Sequence, residues 1–178
     1  MKGKLLIATP ELLTDSIFSQ SVILIVDDHE EGTVGFILNK PLPVLVKEVT
    51  DINSSLQIYD GGPVSIDQMY FLHNAPEIIP GGQQVYDNLF WGGDIRVVKE
   101  IFDDNESLLQ DRIKFFIGYS GWGKEQLENE INEGAWLVSE KKLDIFKINP
   151  KNLWKKLLVE VDPAMELWKN APQNPELN

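Results

Sequence analysis

The sequence predicts an α+β fold, with a largely antiparallel sheet laid down first and helices packed on it later. Three observations carry this. Strand-like apolar runs fill the first two thirds of the chain, paired glycines punctuate them as turns, and clear helical spacing begins only at Asp94. A regular strand–helix–strand alternation, which a parallel sheet requires, is missing.

Residues 5–8 form an apolar run closed by Thr9-Pro10. Residues 21–26 are continuously apolar and β-branched, the pattern of a strand covered on both faces. Residues 27–32 read as a six-residue polar loop. The next strand, residues 33–38, completes an antiparallel hairpin and stops at Asn39-Lys40-Pro41. Gly35 inside it predicts a bulge or a close backbone approach. Residues 44–49 read as a short helix, and residues 57–60 as a strand entering the Gly61-Gly62-Pro63 turn. Residues 69–73 are a strand, and residues 84–86 and 89–91 flank Asp87-Asn88 as a hairpin.

Asp94 caps a helix carrying Ile95, Val98 and Phe102 on one face. Residues 107–112 make a helical turn and residues 113–117 a strand ending at Gly118. Residues 124–133 are a helix stopped by Gly134, and residues 135–138 a strand. Asn149-Pro150 opens a helix bearing Leu153, Trp154, Leu157, Leu158 and Val161, and Pro163 a shorter one bearing Leu167 and Trp168. Residues 1–170 are expected to form one domain and residues 171–178 a flexible tail.

Composition narrows the function. The chain has 178 residues, a formal charge of −12 and no cysteine. Its acidity argues against direct nucleic-acid binding, which needs basic residues to displace counterions from phosphates. Without cysteine there are no disulfides, thiolate metal sites or cysteine nucleophiles. The apolar stretch after Met1-Lys2-Gly3-Lys4 is too short for a signal peptide, and no run is long enough to span a membrane. A cytoplasmic protein is expected, with no cofactor and no metal.

The two histidines, His29 and His73, stand 44 positions apart without metal-ligand spacing. Gly118-Tyr119-Ser120-Gly121-Trp122 has the strand-to-helix context of a nucleophile elbow but not its spacing. Glycines let backbone amides approach a ligand closely, and aromatic side chains wall a cavity. On that basis a ligand site is expected where Gly61, Gly62, His73, Gly118, Tyr119, Gly121 and Trp122 meet, joined by His29 and Asn39 from the hairpin. No catalytic constellation is complete. The expected function is a non-catalytic binding or regulatory domain acting on a protein partner or a small metabolite. The alternative is a hydrolase using His29, His73 and nearby carboxylates.

Five blocks together resemble the YqgE/AlgH family. They are residues 3–10, Ser21-Val22-Ile23, residues 32–41, Gly61-Gly62-Pro63-Val64 with Leu72-His73, and residues 118–122 with Gln126-Leu127-Glu128. The resemblance runs from about residue 3 to residue 160. It implies a bifurcated, largely antiparallel sheet curled into a partial barrel with surrounding helices. It implies no activity, catalytic residue or cofactor, since the family is one of uncharacterised bacterial proteins. The regulatory label in one member's name is not carried over, because this chain has no helix-turn-helix signature and is acidic. Thr33, Ser120 and Lys124-Glu125 depart from the family pattern, which has Ala, Ala and Pro-Gly there.

Overall fold

A computed structural model of the chain describes residues 1–123 and 125–172. In chain order the elements are β1 (Leu5–Ala8), β2 (Val22–His29), β3 (Gly32–Ile37), β4 (Pro41–Leu45), α1 (Val46–Val49), β5 (Gln57–Asp60) and β6 (Val64–His73). They continue with β7 (Gln83–Tyr86), β8 (Leu89–Trp91), α2 (Ile95–Asp104), β9 (Ile113–Gly123), α3 (Gln126–Asn132), β10 (Trp136–Ser139) and α4 (Pro150–Val161). A 3₁₀ segment, Pro163–Asn170, follows. Most of the expected flexible tail, residues 173–178, lies outside the described residues.

The strands order as β10-β1-β2-β3-β9-β6-β8-β7, with β5 also on β9 and β4 on β5. Every pairing is antiparallel except β5 with β9. The fork lies in β9. Its C-terminal half, from Ser120 to Gly123, pairs with β3, while Phe115 to Ile117 pair with β5 instead. Curling brings the two ends of the sheet together without a ladder between them. Lys142 donates to the Gly3 carbonyl at 3.0 Å, and its ammonium stands 4.2 Å from the centre of the Tyr86 ring on β7.

Apolar side chains fill both faces. Inside the curl, Leu5, Ile7, Leu24, Phe36, Leu72 and Phe116 belong to one apolar cluster with Leu153, Trp154, Leu157 and Leu158 of α4, which lies over β1 and β10. The i, i+4 spacing of those α4 residues gives the helix a single apolar stripe, and Trp154 fixes it by donating its indole N–H to the Ala8 carbonyl at 2.7 Å. Across the sheet, α2 buries Val98 and Phe102 against Phe115, and a smaller cluster joins Trp122, Leu127 and Trp136.

Three expectations change. The hairpin loop is short, because β2 runs on to His29 and only Glu30 and Glu31 turn before Gly32. Opposite Gly35 the register of β2 shifts between Ile25 and Asp27, which supplies the bulge the glycine predicted. Residues 44–49 divide between the end of β4 and α1. The strand expected to end at Gly118 continues to Gly123, because β3 and Val64 of β6 offer partners to this stretch. Its alternation of buried Gly118, Ser120 and Trp122 with more open Tyr119, Gly121 and Gly123 is a strand pattern hidden by glycines.

Candidate functional site

The structure brings some of the expected site residues together and separates others. Gly61, Gly62, Gly118 and Tyr119 meet where the β5–β6 turn crosses β9. The approach is so close that a Cβ on Gly61 would lie 2.2 Å from the Gly118 carbonyl, and one on Gly62 would lie 2.4 Å from the Ser120 hydroxyl. Backbone therefore packs on backbone there. Ser120 is fully buried and donates to the Gly61 carbonyl at 3.1 Å, so its hydroxyl is a structural tie and not an exposed nucleophile. Gly121 lies further along β9 opposite Val34, and Trp122 faces the α3 side, donating to Glu130 at 2.9 Å.

The histidines are far apart. His29 is opposite Gly32, which is opposite Gly123 at one end of β9; His73 is opposite Ile113 at the other. At ~3.3 Å per residue this puts them on the order of 30 Å apart along the strand. His29 is exposed and sits 2.8 Å from Asp27. His73 is fully buried, accepts from the Ala75 N–H at Nδ1, and has its pKa pushed down chiefly by burial. A hydrolase needing both imidazoles at one bond cannot be built from this arrangement. Among the described residues no cluster of three potential ligands could hold a metal ion.

Of the expected site residues, Asn39 borders a large cleft. It accepts from the Val22 N–H at 2.8 Å and donates to the Gln20 carbonyl at 2.9 Å, tying the loop after β3 to the segment before β2. The cleft, of about 840 Å³, opens between residues 13–20, residues 39–41 and the start of α4. Lys40, Lys151 and Lys155 line it, against the single carboxylate of Asp15. That carboxylate is itself occupied, accepting from the Ile17 and Phe18 N–H groups at 2.8 and 2.7 Å. Lys40 donates to the Ile17 carbonyl. Burial pushes its pKa down, while Asp60 and Asp15 pull it partly back. Ser19, also in the lining, has a buried hydroxyl oxygen without a hydrogen-bond partner. In a chain of charge −12, a cleft with this excess of lysines is a local reversal of sign.

A second polar feature lies inside the curl. Lys114 of β9 is 8% exposed, and its Nζ stands 3.5 Å from the centre of the Tyr59 ring. Burial is the sole cause that pushes its pKa down to about 7. Tyr59, Tyr70 and Trp91 surround the same region as partly buried rings around the Phe36–Phe116 stack.

Sequence reasoning missed both lysine features. Lys151 and Lys155 are four apart on a helix, a spacing that puts them on one side. Lys114 is the lone charge in the apolar run Ile113-Lys114-Phe115-Phe116-Ile117, which was a visible signal. The meeting of residues 13–20 with α4 is a tertiary event that no local pattern announces.

Comparison with known proteins agrees with this architecture. A family model described as AlgH-like matches residues 5–166. A UPF0301 protein of Bacteroides fragilis is 37% identical over 182 residues, covering 99% of this chain and 91% of its own. One from Chlorobium phaeobacteroides is 37% identical over 180 residues, covering 99% and 95%. The solution structure of the AlgH protein from Pseudomonas aeruginosa superimposes with a TM-score of 0.73 at 22% identity, covering 96% of this chain and 93% of that one. The crystal structure of protein DIP2367 from Corynebacterium diphtheriae gives 0.74 at 20% identity, covering 95% and 91%. At such identities the two structures speak to the fold alone.

Proposed function

We propose, for a chain that belongs to the AlgH-like family, a non-catalytic binding function centred on the cleft beside Asn39. The family membership rests on the match over residues 5–166 and carries no activity with it. The observation that supports the reading is the cleft's charge: Lys40, Lys151 and Lys155 face one carboxylate in an otherwise acidic protein. A concave site of this size with converging cations suits a small molecule or a side chain bearing carboxylate or phosphate groups. Its cations raise the local concentration of anions that the rest of the surface repels. A free metabolite and an acidic segment of a protein partner both supply that chemistry.

Isothermal titration with citrate, inorganic pyrophosphate and a short poly-glutamate peptide tests it. Binding that weakens with added salt is expected, together with its loss in a Lys151→Glu, Lys155→Glu double variant of unchanged thermal stability. Preference for the small anions would indicate a metabolite, and preference for the peptide a protein partner. Absence of saturable binding by all three, or full binding by the double variant, would overturn the reading.

A further inference from the structure

We propose that the concave face over β5, β9, β6 and β8 is a second ligand site, one that takes an apolar carboxylate between the Lys114 amine and the Trp91 indole. This site is separate from the cleft beside Asn39 and shares none of that cleft's lining residues.

One buried donor on this face lacks an acceptor, and one buried amine lacks a counter-charge among the described residues. Lys114 is more than nine-tenths buried, and no charged group of the described residues contributes to holding its ammonium. The indole N–H of Trp91 is buried and makes no hydrogen bond. Buried lysines are ordinarily paired, and buried indole N–H groups ordinarily find an acceptor. Lys114 and Trp91 are each directly opposite Leu72 in the ladder. Cross-strand partners point to the same face, so the two side chains rise from one row, about 10 Å apart at the backbone.

The surroundings define what the missing acceptor belongs to. The ammonium is against the Tyr59 ring, and Phe36 lies within stacking range of Tyr70, Trp91 and Phe116, at centroid separations of 5.7, 6.2 and 4.9 Å. Tyr59, Tyr70 and Trp91 are only partly buried, which leaves the face open to solvent at its rim. Aromatic walls favour an apolar body, and the uncompensated ammonium favours an anionic head. A carboxylate meets both conditions at a smaller desolvation cost than a doubly charged phosphate. Water would satisfy one donor and leave the ammonium without a counter-charge.

The test compares 1-naphthoate and octanoate with the uncharged 1-naphthalenemethanol by isothermal titration on the full chain. The acids are expected to bind at least about tenfold more tightly than the alcohol, a difference of about 1.4 kcal/mol or more. Lys114→Met, which keeps the length and removes the charge, should abolish that preference, and Trp91→Phe should weaken acid binding. The Lys151→Glu, Lys155→Glu variant should bind naphthoate as the parent does. Failure of the cleft reading and failure of this one are thereby distinguishable. Equal affinity for acid and alcohol in the unaltered protein overturns the proposal even if a variant does not fold. No saturable binding of either acid, or retention of the preference in a folded Lys114→Met protein, also overturns it.

Discussion

Trp122 and Trp136 donate their indole N–H groups to the same carboxylate oxygen of Glu130, at 2.9 and 2.8 Å. The rings meet edge to face at 6.0 Å. Both are almost completely buried, so neither N–H has water as an alternative acceptor. One residue of α3 thus ties β9 to β10, strands on opposite flanks of β1, β2 and β3. We predict that Glu130→Ala costs about 2–4 kcal/mol in urea denaturation, and that Glu130→Gln, which keeps an acceptor oxygen, costs less. An alanine variant as stable as the parent would show that the indoles find other partners.

Asn39 is the next tie. Its amide accepts from Val22 and donates to Gln20, as a turn-forming Asn does. Asn39→Ala is expected to lose about 0.5–2 kcal/mol, and Asn39→Asp, which retains the acceptor alone, an intermediate amount. If Asn39→Ala kept its full stability while ligand binding vanished, the residue would belong to the site and not to the frame.

Two glycines with similar backbone angles separate strain from collision. Gly118 has φ +67° and Gly81 has φ +79°. A Cβ on Gly118 would sit 2.4 Å from the Gly62 carbonyl, whereas one on Gly81 would meet nothing within 4 Å. Gly81→Ala should therefore cost about 1 kcal/mol, the left-handed penalty. Gly118→Ala should cost more than about 4 kcal/mol or prevent folding. Equal losses in thermal denaturation would refute the crossing of β9 by the β5–β6 turn.

Lys114 makes stability depend on pH. Burial brings its pKa down to about 7 from the ordinary 10.5. Between those values the unfolded chain binds more protons than the folded one. Stability from this residue is therefore gained as pH rises from about 7 towards about 10.5 and lost as it falls, by at most about 1.4 kcal/mol per pH unit. Lys40 is shifted in the same direction by burial, so the comparison must be with a variant. Lys114→Met should exceed the parent in stability at pH 7, with the gap narrowing towards pH 10. A gap independent of pH would mean the amine is charged throughout.

Local patterns made much of the fold legible. Asp94 and Asn149 cap their helices by accepting from Arg96 and Lys151 N–H groups, as their sequence positions indicate. The Asp87-Asn88 hairpin and the bulge at Gly35 also follow from residue type. What was hidden depended on partners distant in sequence. Residues 118–123 read as a glycine loop because small residues erase the apolar alternation, and only β3 and Val64 make them a strand. The expected site suffered for the same reason. Its glycines do congregate, but their closeness serves chain crossing, and His73 stands at the other end of β9. Asn39 was visible as a turn residue, whereas the lysines opposite it arrive with α4, more than a hundred residues later.

The shared strand has a consequence in time. Residues 113–123 close the open edge of β3, the exposed side of β5 and one side of β6, yet they follow all three in the chain. During synthesis the first hairpin must wait for about 80 further residues before its unpaired backbone groups are covered, several seconds at ordinary translation rates. Until then it presents a bare, apolar strand edge of the kind that recruits other chains. Such non-local pairing also slows refolding from denaturant. Sequence changes that delay this one strand should therefore appear first as aggregation of new chains, before any loss of stability in the finished protein.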